Sequence, residues 1–309
     1  MLARALQLTM VFYVLLASLW VGVLANFSPV VAAIGAVLIV LGTVWLLALQ
    51  FVVFAWMGRD SAVAWPSFRQ LVAAGWEELR CVIRLFGWHQ AFRSRALADH
   101  LSPATRGRRG VVFIHGFVSN RGLWVDWMRR LRHLEHAYVA VDLEPVLCSI
   151  DDYAPIIEAA VRQVTDATGL APVLVCHSMG GLAARAWLRQ QADKTRVAQV
   201  VTLGTPHHGT ALARLQWWAL GRNALEMNRH SAWLLDLAED EKKKSKEKAI
   251  SADYTSFVCY YSNSDNIVFP ATTGCLPGAD NRYVPGVAHV ALVCQERVMA
   301  ESLQLIQSV

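Results

Sequence analysis

Pro172-Val173-Leu174-Val175-Cys176-His177-Ser178-Met179-Gly180-Gly181 decides how this chain reads. Five residues, four of them apolar or sulfur-bearing, form a run too short for a helix and bounded as a buried strand is bounded. Gly180 to Gln191 then has helical spacing. Between them sits a serine on what must be a sharp strand-to-helix turn, the setting in which a serine hydroxyl is presented as a nucleophile. The usual pattern there is G-x-S-x-G, and here Cys176 replaces the first glycine. Small residues are required because the turn brings strand and helix together. Cysteine fits if the helix is slightly displaced, and Gly180 leaves the more crowded position free.

Outward from this stretch the chain alternates two kinds of segment. Gly110–Ile114, Tyr138–Leu143, Val197–Leu203 and Tyr254–Tyr261 are further strand-like runs, and Tyr153–Thr168 is helical up to Gly169. Buried strands alternating with helices predict an α/β fold, a mostly parallel sheet with helices on both faces. His115-Gly116-Phe117 follows the first strand. The backbone amides of Phe117 and Met179 are candidates for an oxyanion hole, since negative charge on a carbonyl oxygen under attack needs paired donors. His115 is expected to brace that loop. Asp265 lies on the loop Ser262–Val268 after a late strand, and His289 closes Gly286-Val287-Ala288-His289. The order Ser178, Asp265, His289 is the order a triad takes in this fold. Competing bases are His177 and His207; competing acids are Asp236 and Asp253.

The region from about Arg109 to Val309 resembles the α/β-hydrolase superfamily, and is similar to bacterial triacylglycerol lipases and related esterases. The resemblance rests on H-G-F at 115–117, C-H-S-M-G-G at 176–181, L-G-T-P-H-H-G-T at 203–210, S-D-N-I-V-x-P at 264–270 and G-V-A-H at 286–289. It implies a serine hydrolase of lipid esters with no cofactor and no metal. His115, Gly116, His177, Thr205, Pro206, His207, Trp217 and Trp218 are the substrate-binding candidates. It also implies a lid in the stretch 211–250, against the alternative of plain helical core. His207 and His208 are adjacent, which rarely suits a metal without further ligands. Glu239–Lys248 reads as a solvated helix end. An acyltransferase, thioesterase, phospholipase or lipid deacylase would share these residues. A non-catalytic membrane scaffold is the reading outside the enzymes, and the complete triad argues against it.

The first sixty residues are a different material. Leu8–Phe27 and Val30–Met57 are uncharged, and each is long enough to span a bilayer. Asn26-Phe27-Ser28-Pro29 separates them as a tight turn, so 1–58 predicts a two-span hairpin anchor. Arg4 precedes the first span, Arg59 and Arg69 follow the second, and the turn carries no Lys or Arg. The positive-inside rule then places both ends and the catalytic domain in the cytoplasm, on a bacterial inner membrane. A signal peptide cut after Val23-Leu24-Ala25 is the alternative, and would put the domain in the periplasm.

Residues 59–108 predict a basic linker around an amphipathic helix, Phe68–Phe86, lying in the membrane interface or packed on the globular domain. The net charge of +5 is concentrated here, at Arg59, Arg69, Arg80, Arg84, Arg93, Arg95, Arg106, Arg108 and Arg109. Next to a membrane segment this points to anionic headgroups, and no nucleic-acid motif accompanies it. The six cysteines lack metal-ligand spacing. They read as reduced thiols, or as one disulfide at Cys259–Cys275 or Cys275–Cys294. With the core starting near Arg109, removal of the first sixty residues is expected to leave a foldable domain.

Overall fold

Alternating residues of the strand-like runs serve two different apolar layers, which is why apolar residues dominate both faces of each run. The computed structural model describes residues 1–214, 221–247 and 254–308. Six strands, β1 (Val111–Ile114), β2 (Tyr138–Ala140), β3 (Val173–His177), β4 (Gln199–Leu203), β5 (Phe257–Tyr261) and β6 (Asp280–Tyr283), form one sheet in the order β2-β1-β3-β4-β5-β6. Every pairing is parallel. Val111, Phe113, Val173, Val175, Val201, Leu203, Val258 and Tyr260 point into one layer. Val112, Ile114, Leu174, Cys176, Val200, Phe257 and Cys259 point into the other. Five strands were expected from the sequence. The sixth, Asp-Asn-Arg-Tyr, is a partly exposed edge strand without the apolar signature.

The chain leaves β1 toward β2 on one side and returns through β3 on the other. This places a crevice outside the C-terminal ends of β1 and β3, where open α/β sheets bind ligands. Helix α5 (Val125–His133) packs on the first layer, and α6 (Ala154–Thr168) and α7 (Met179–Gln190) cover the second. Gly169, at φ 77°, stops α6 in the left-handed conformation that favours glycine.

The N-terminal region departs from a simple two-span anchor. Among the described residues, helix α1 (Leu2–Leu24) is the one helix long and apolar enough to cross a membrane. The expected second span is broken: α2 (Pro29–Val40) and α3 (Gly42–Met57) meet at 62°. The break lies at Leu41, which leaves helical geometry at ψ 13°, followed by glycine, a poor helix former. The turn forms as expected, with the Ser28 hydroxyl capping α2 and Pro29 at its first position. Helix α3 does not stand apart from the rest. Phe54 is 2% exposed, and packs with Phe269 and Ala211 of the region that carries the sheet.

The stretch 59–108 is also more than a linker. Helix α4 (Phe68–Val82) continues as a π-helical turn, Ile83–Gln90, and inserts Ala74, Cys81 and Leu85 into the first layer of the sheet. Its apolar residues divide between two faces: Leu71, Val82 and Phe86 pack inward, and others do not. The docked stripe is Ala74, Glu78, Cys81 and Leu85, and Phe68, Val72, Trp76 and Ile83 face outward. The core therefore begins before Arg109. From the first sixty residues, Phe51 and Phe54 of α3 pack against it as well.

In the stretch 211–250, α8 (Arg222–Glu226) and α9 (Ala232–Glu247) pack against the domain, with Leu234 and Leu237 buried. Glu241 lies inside the charge run read as solvated. It is nevertheless buried, and takes a two-pronged contact from Arg185 of α7, Nε–Oε1 3.0 Å and Nη2–Oε2 2.7 Å. The Tyr254 hydroxyl adds a third bond at 2.6 Å. The described part of this stretch is thus docked core. Trp217, Trp218 and Asp253 lie outside the described residues. No disulfide joins any of the six cysteines.

Candidate active site

Ser178 occupies the junction of β3 and α7 with φ 54° and ψ −128°. A non-glycine residue there carries strain of about 1–3 kcal/mol, sustained only where the surroundings over-determine it. They do so here. The Ser178 amide donates to Leu203 O at 2.9 Å, and the Thr205 hydroxyl donates to Ser178 O at 2.8 Å. Gly180 lets the helix approach β1: a Cβ on it would stand 2.4 Å from Ile114 O and 2.6 Å from His115 O. The Cys176 departure is absorbed because its side chain points into the second layer, fully buried. Burial pushes its thiol pKa well up, which leaves it inert beside the serine.

The Met179 amide opens α7, where the first backbone N–H groups have no partner within the helix. Gly116 adjoins the same point: a Cβ on it would stand 2.8 Å from Ser178 Cβ. Phe117, half-buried, is next in the chain. His115 is buried, with Nδ1 2.8 Å from Gly116 O and Nε2 accepting from the Leu143 amide at 3.0 Å. Burial lowers its pKa, so the ring is neutral and ties the 115–117 loop to the chain after β2.

Across the crevice His289 and Asp265 meet, with Nδ1 2.9 Å from Oδ2. The other carboxylate oxygen accepts from the amides of Ile267 at 2.9 Å and Val268 at 2.7 Å, which fixes the carboxylate plane. Both side chains are almost fully buried. Burial disfavours a charged imidazole, but the facing Asp265 carboxylate, its hydrogen bond and the nearby Glu78 outweigh that and hold the His289 pKa above the usual histidine value. His177 lies against this ring, centroids 4.7 Å apart, with Nε2 3.3 Å from His289 O. Burial and the neighbouring His289 keep the His177 pKa well below the ordinary value, so it stays neutral and is a poor base.

The remaining candidates divide. Thr205 and Pro206 are buried beneath the elbow. His207 sits in the sheet interior, its Nε2 3.1 Å from the Thr202 hydroxyl and 3.5 Å from Cys259 Sγ, with burial depressing its pKa. It braces the core and does not join the Ser178 group. Of the competing acids that are described, Asp236 belongs to α9 and Asp265 alone pairs with a histidine facing the crevice.

Two contributors were missed. Glu78 of α4 accepts from the amides of Val290 at 3.0 Å and Ala291 at 2.8 Å, immediately after His289. Asn266 accepts from the His289 amide at 3.1 Å, and itself donates to Gln50 of α3 at 2.8 Å. The signals available beforehand were the carboxylate of Glu78 and the amide of Gln50, each standing among apolar helical residues.

A family model described as alpha/beta hydrolase fold matches residues 110–231. Among solved structures, the mature form of the Bacillus licheniformis lipase BlEst2 superposes with a TM-score of 0.54 at 17% identity, covering 65% of this chain and 93% of that one. Its propeptide form gives 0.53 at 18% identity, covering 66% and 51%. A monoacylglycerol lipase from Paleococcus ferrophilus gives 0.45 at 16% identity, covering 66% and 96%. No curated protein sequence matches this chain. At such identities the likeness is one of fold.

Proposed function

Since this chain carries the α/β-hydrolase fold and resembles lipases and esterases, we propose that it is a membrane-anchored serine hydrolase that cleaves carboxylic esters of lipids through an acyl-enzyme. The observation that carries the proposal is the buried His289–Asp265 pair, 2.9 Å apart, packed against His177, the residue before a serine held at φ 54°.

His289 Nε2 removes the proton from Ser178 Oγ as the oxygen attacks the ester carbonyl. Asp265 holds Nδ1–H and so selects the tautomer whose Nε2 is free to accept. It also stabilises the imidazolium that forms. The amides of Phe117 and Met179 hold the tetrahedral oxyanion, the second reinforced by the positive end of α7. Collapse breaks the ester C–O bond, and His289 returns its proton to the departing alcohol. Water, activated by the same imidazole, then releases the acid and regenerates the serine.

Lipid as the substrate class is supported by what lies N-terminal to the sheet. Helix α1 is apolar and almost wholly unburied, and α4 turns Phe68 (81% exposed) and Trp76 (63%) outward. Such a surface suits the bilayer interface. Both ends of the apolar region return to the catalytic domain: Gln7 donates to Ala91 O at 2.6 Å, and Asn266 bonds Gln50. Arg4, Arg59 and Arg69 at those ends support a proposed cytoplasmic placement of the domain by the positive-inside rule.

The test is a panel of esters of increasing acyl length, offered to the wild type and to Ser178→Ala. Hydrolysis that depends on Ser178 and favours water-insoluble esters supports the proposal. Hydrolysis that survives Ser178→Ala refutes the mechanism, and serine-dependent hydrolysis confined to short soluble esters refutes the lipid assignment.

A further inference from the structure

A carboxylate in the middle of a docked helix face is expensive unless its lone pairs are satisfied. Glu78 is 1% exposed, between Ala74 and Cys81 on the face that α4 applies to the sheet. An apolar residue would serve packing better. What it contacts gives the reason. Its two oxygens take the amides of Val290 and Ala291, at 3.0 and 2.8 Å. The preceding amide, that of His289, is taken by Asn266, which Gln50 holds in turn. Three consecutive amides of the loop bearing the base are therefore fixed by side chains. One reaches in from α4, and another stands behind Asn266 on α3.

Resting on the catalytic reading above, we infer that Glu78 is a positioning residue for His289, and that α3 and α4 thereby make the N-terminal region part of the active site's framework. Two effects combine. The pair of hydrogen bonds fixes where the imidazole stands, and a displacement of 1 Å at such a group costs about 100-fold in rate. The negative charge, close to the ring, also favours the imidazolium that forms as Ser178 attacks. The charged and titratable groups around the imidazole are Asp265, Glu78 and the neutral His177. Those around Glu78 are His289 and Asp265, together with Cys81 and Cys294, the latter beside Arg84. Burial raises the Glu78 pKa to about 7 against the pull of the two amides, so its charge is complete only above neutrality.

The experiment uses the full-length protein, with Glu78→Gln, Glu78→Asp and Gln50→Leu. Turnover of a short soluble ester, the rate of fluorophosphonate labelling and the pH profile of kcat/KM are measured. Glu78→Gln keeps the shape, removes the charge and turns an N–H toward an N–H. It should lower kcat and labelling about 10- to 100-fold with KM within about twofold. It should also move the acid limb of the profile to lower pH, because an imidazolium deprived of a nearby anion is the stronger acid. Glu78→Asp keeps the charge at shorter reach: kcat should fall while the limb stays. Gln50→Leu removes no charge and should lower kcat without moving the limb. It serves as the test of positioning should the Glu78 variants fail to fold. The inference is overturned if Glu78→Gln leaves turnover and the acid limb at wild-type values, or if Gln50→Leu leaves kcat unchanged. Absence of labelling in the wild type would defeat the catalytic reading itself. Normal labelling of both the wild type and Glu78→Gln would defeat only this inference.

Discussion

Phe54→Ala distinguishes an independent anchor from one built into the catalytic domain. Phe54 belongs to an apolar helix that would be read as lipid-facing, yet it is 2% exposed. Its ring stacks on Trp65 at 5.0 Å and meets the edge of Phe269 at 5.7 Å. Phe269 is fully buried, four residues after the proposed acid Asp265, in the segment whose amides hold that carboxylate. Truncating a buried phenylalanine costs about 3–5 kcal/mol, part transfer and part cavity. For a domain of roughly 200 residues each kcal/mol lowers Tm by about 2–4 °C, so the loss should be about 6–20 °C. The assay is thermal unfolding in one detergent, with Val52→Ala as the partner variant, since Val52 is 65% exposed on the same helix. Activity on a short soluble ester should fall with Phe54→Ala well below the unfolding range, because the acid loop loses its apolar support. If the two substitutions shift Tm equally, α3 does not contribute to the core and the account of the N-terminal region is wrong.

Asp265→Asn should lower turnover by about 10⁴-fold while small reactive probes still reach Ser178, since the amide favours the wrong imidazole tautomer; mild loss would mean that another acid serves. Glu241→Ala leaves the buried Arg185 unpaired and should cost about 3–5 kcal/mol in chemical denaturation, whereas Arg185→Met with Glu241→Leu should recover most of it. Equal losses in the single and double variants would contradict the docked reading of α9. A reporter at the C-terminus should fluoresce in the cytosol, and phosphatase activity in the periplasm would reverse the orientation. As pH falls below the raised His289 pKa, kcat/KM should decline, because only the neutral imidazole accepts the serine proton; a profile flat through that range would argue against His289 as base.

What the sequence discloses here follows from how each residue's role is encoded. Val111–Ile114 and Val173–Cys176 declare themselves because burial on both faces forbids polar residues, and β6 stays hidden because an edge strand is free to use Asp280, Asn281 and Arg282. The proposed trio Ser178, Asp265 and His289 is suggested by local context and order along the chain, and folding brings the latter two within 2.9 Å. Periodicity identifies α4 as a helix, but not which face docks. The apolar stripe through Phe68, Val72 and Trp76 draws the assignment, and the sheet receives Ala74, Glu78 and Cys81 instead. Glu241 shows the same limit. Within a run of charge it looks solvated, and only the approach of Arg185 from α7 makes its burial tolerable. Hydropathy likewise finds the apolar length of Val30–Met57 but is blind to its break at Leu41.

The central claim is that Ser178 is a nucleophile activated by His289. Its most direct test is covalent labelling of the full-length protein with a fluorophosphonate, followed by mapping of the modified peptide. The account predicts one adduct, on Ser178, formed in step with loss of ester hydrolysis and absent from a folded Ser178→Ala protein. An adduct on another residue, or hydrolysis that persists in Ser178→Ala, would contradict it.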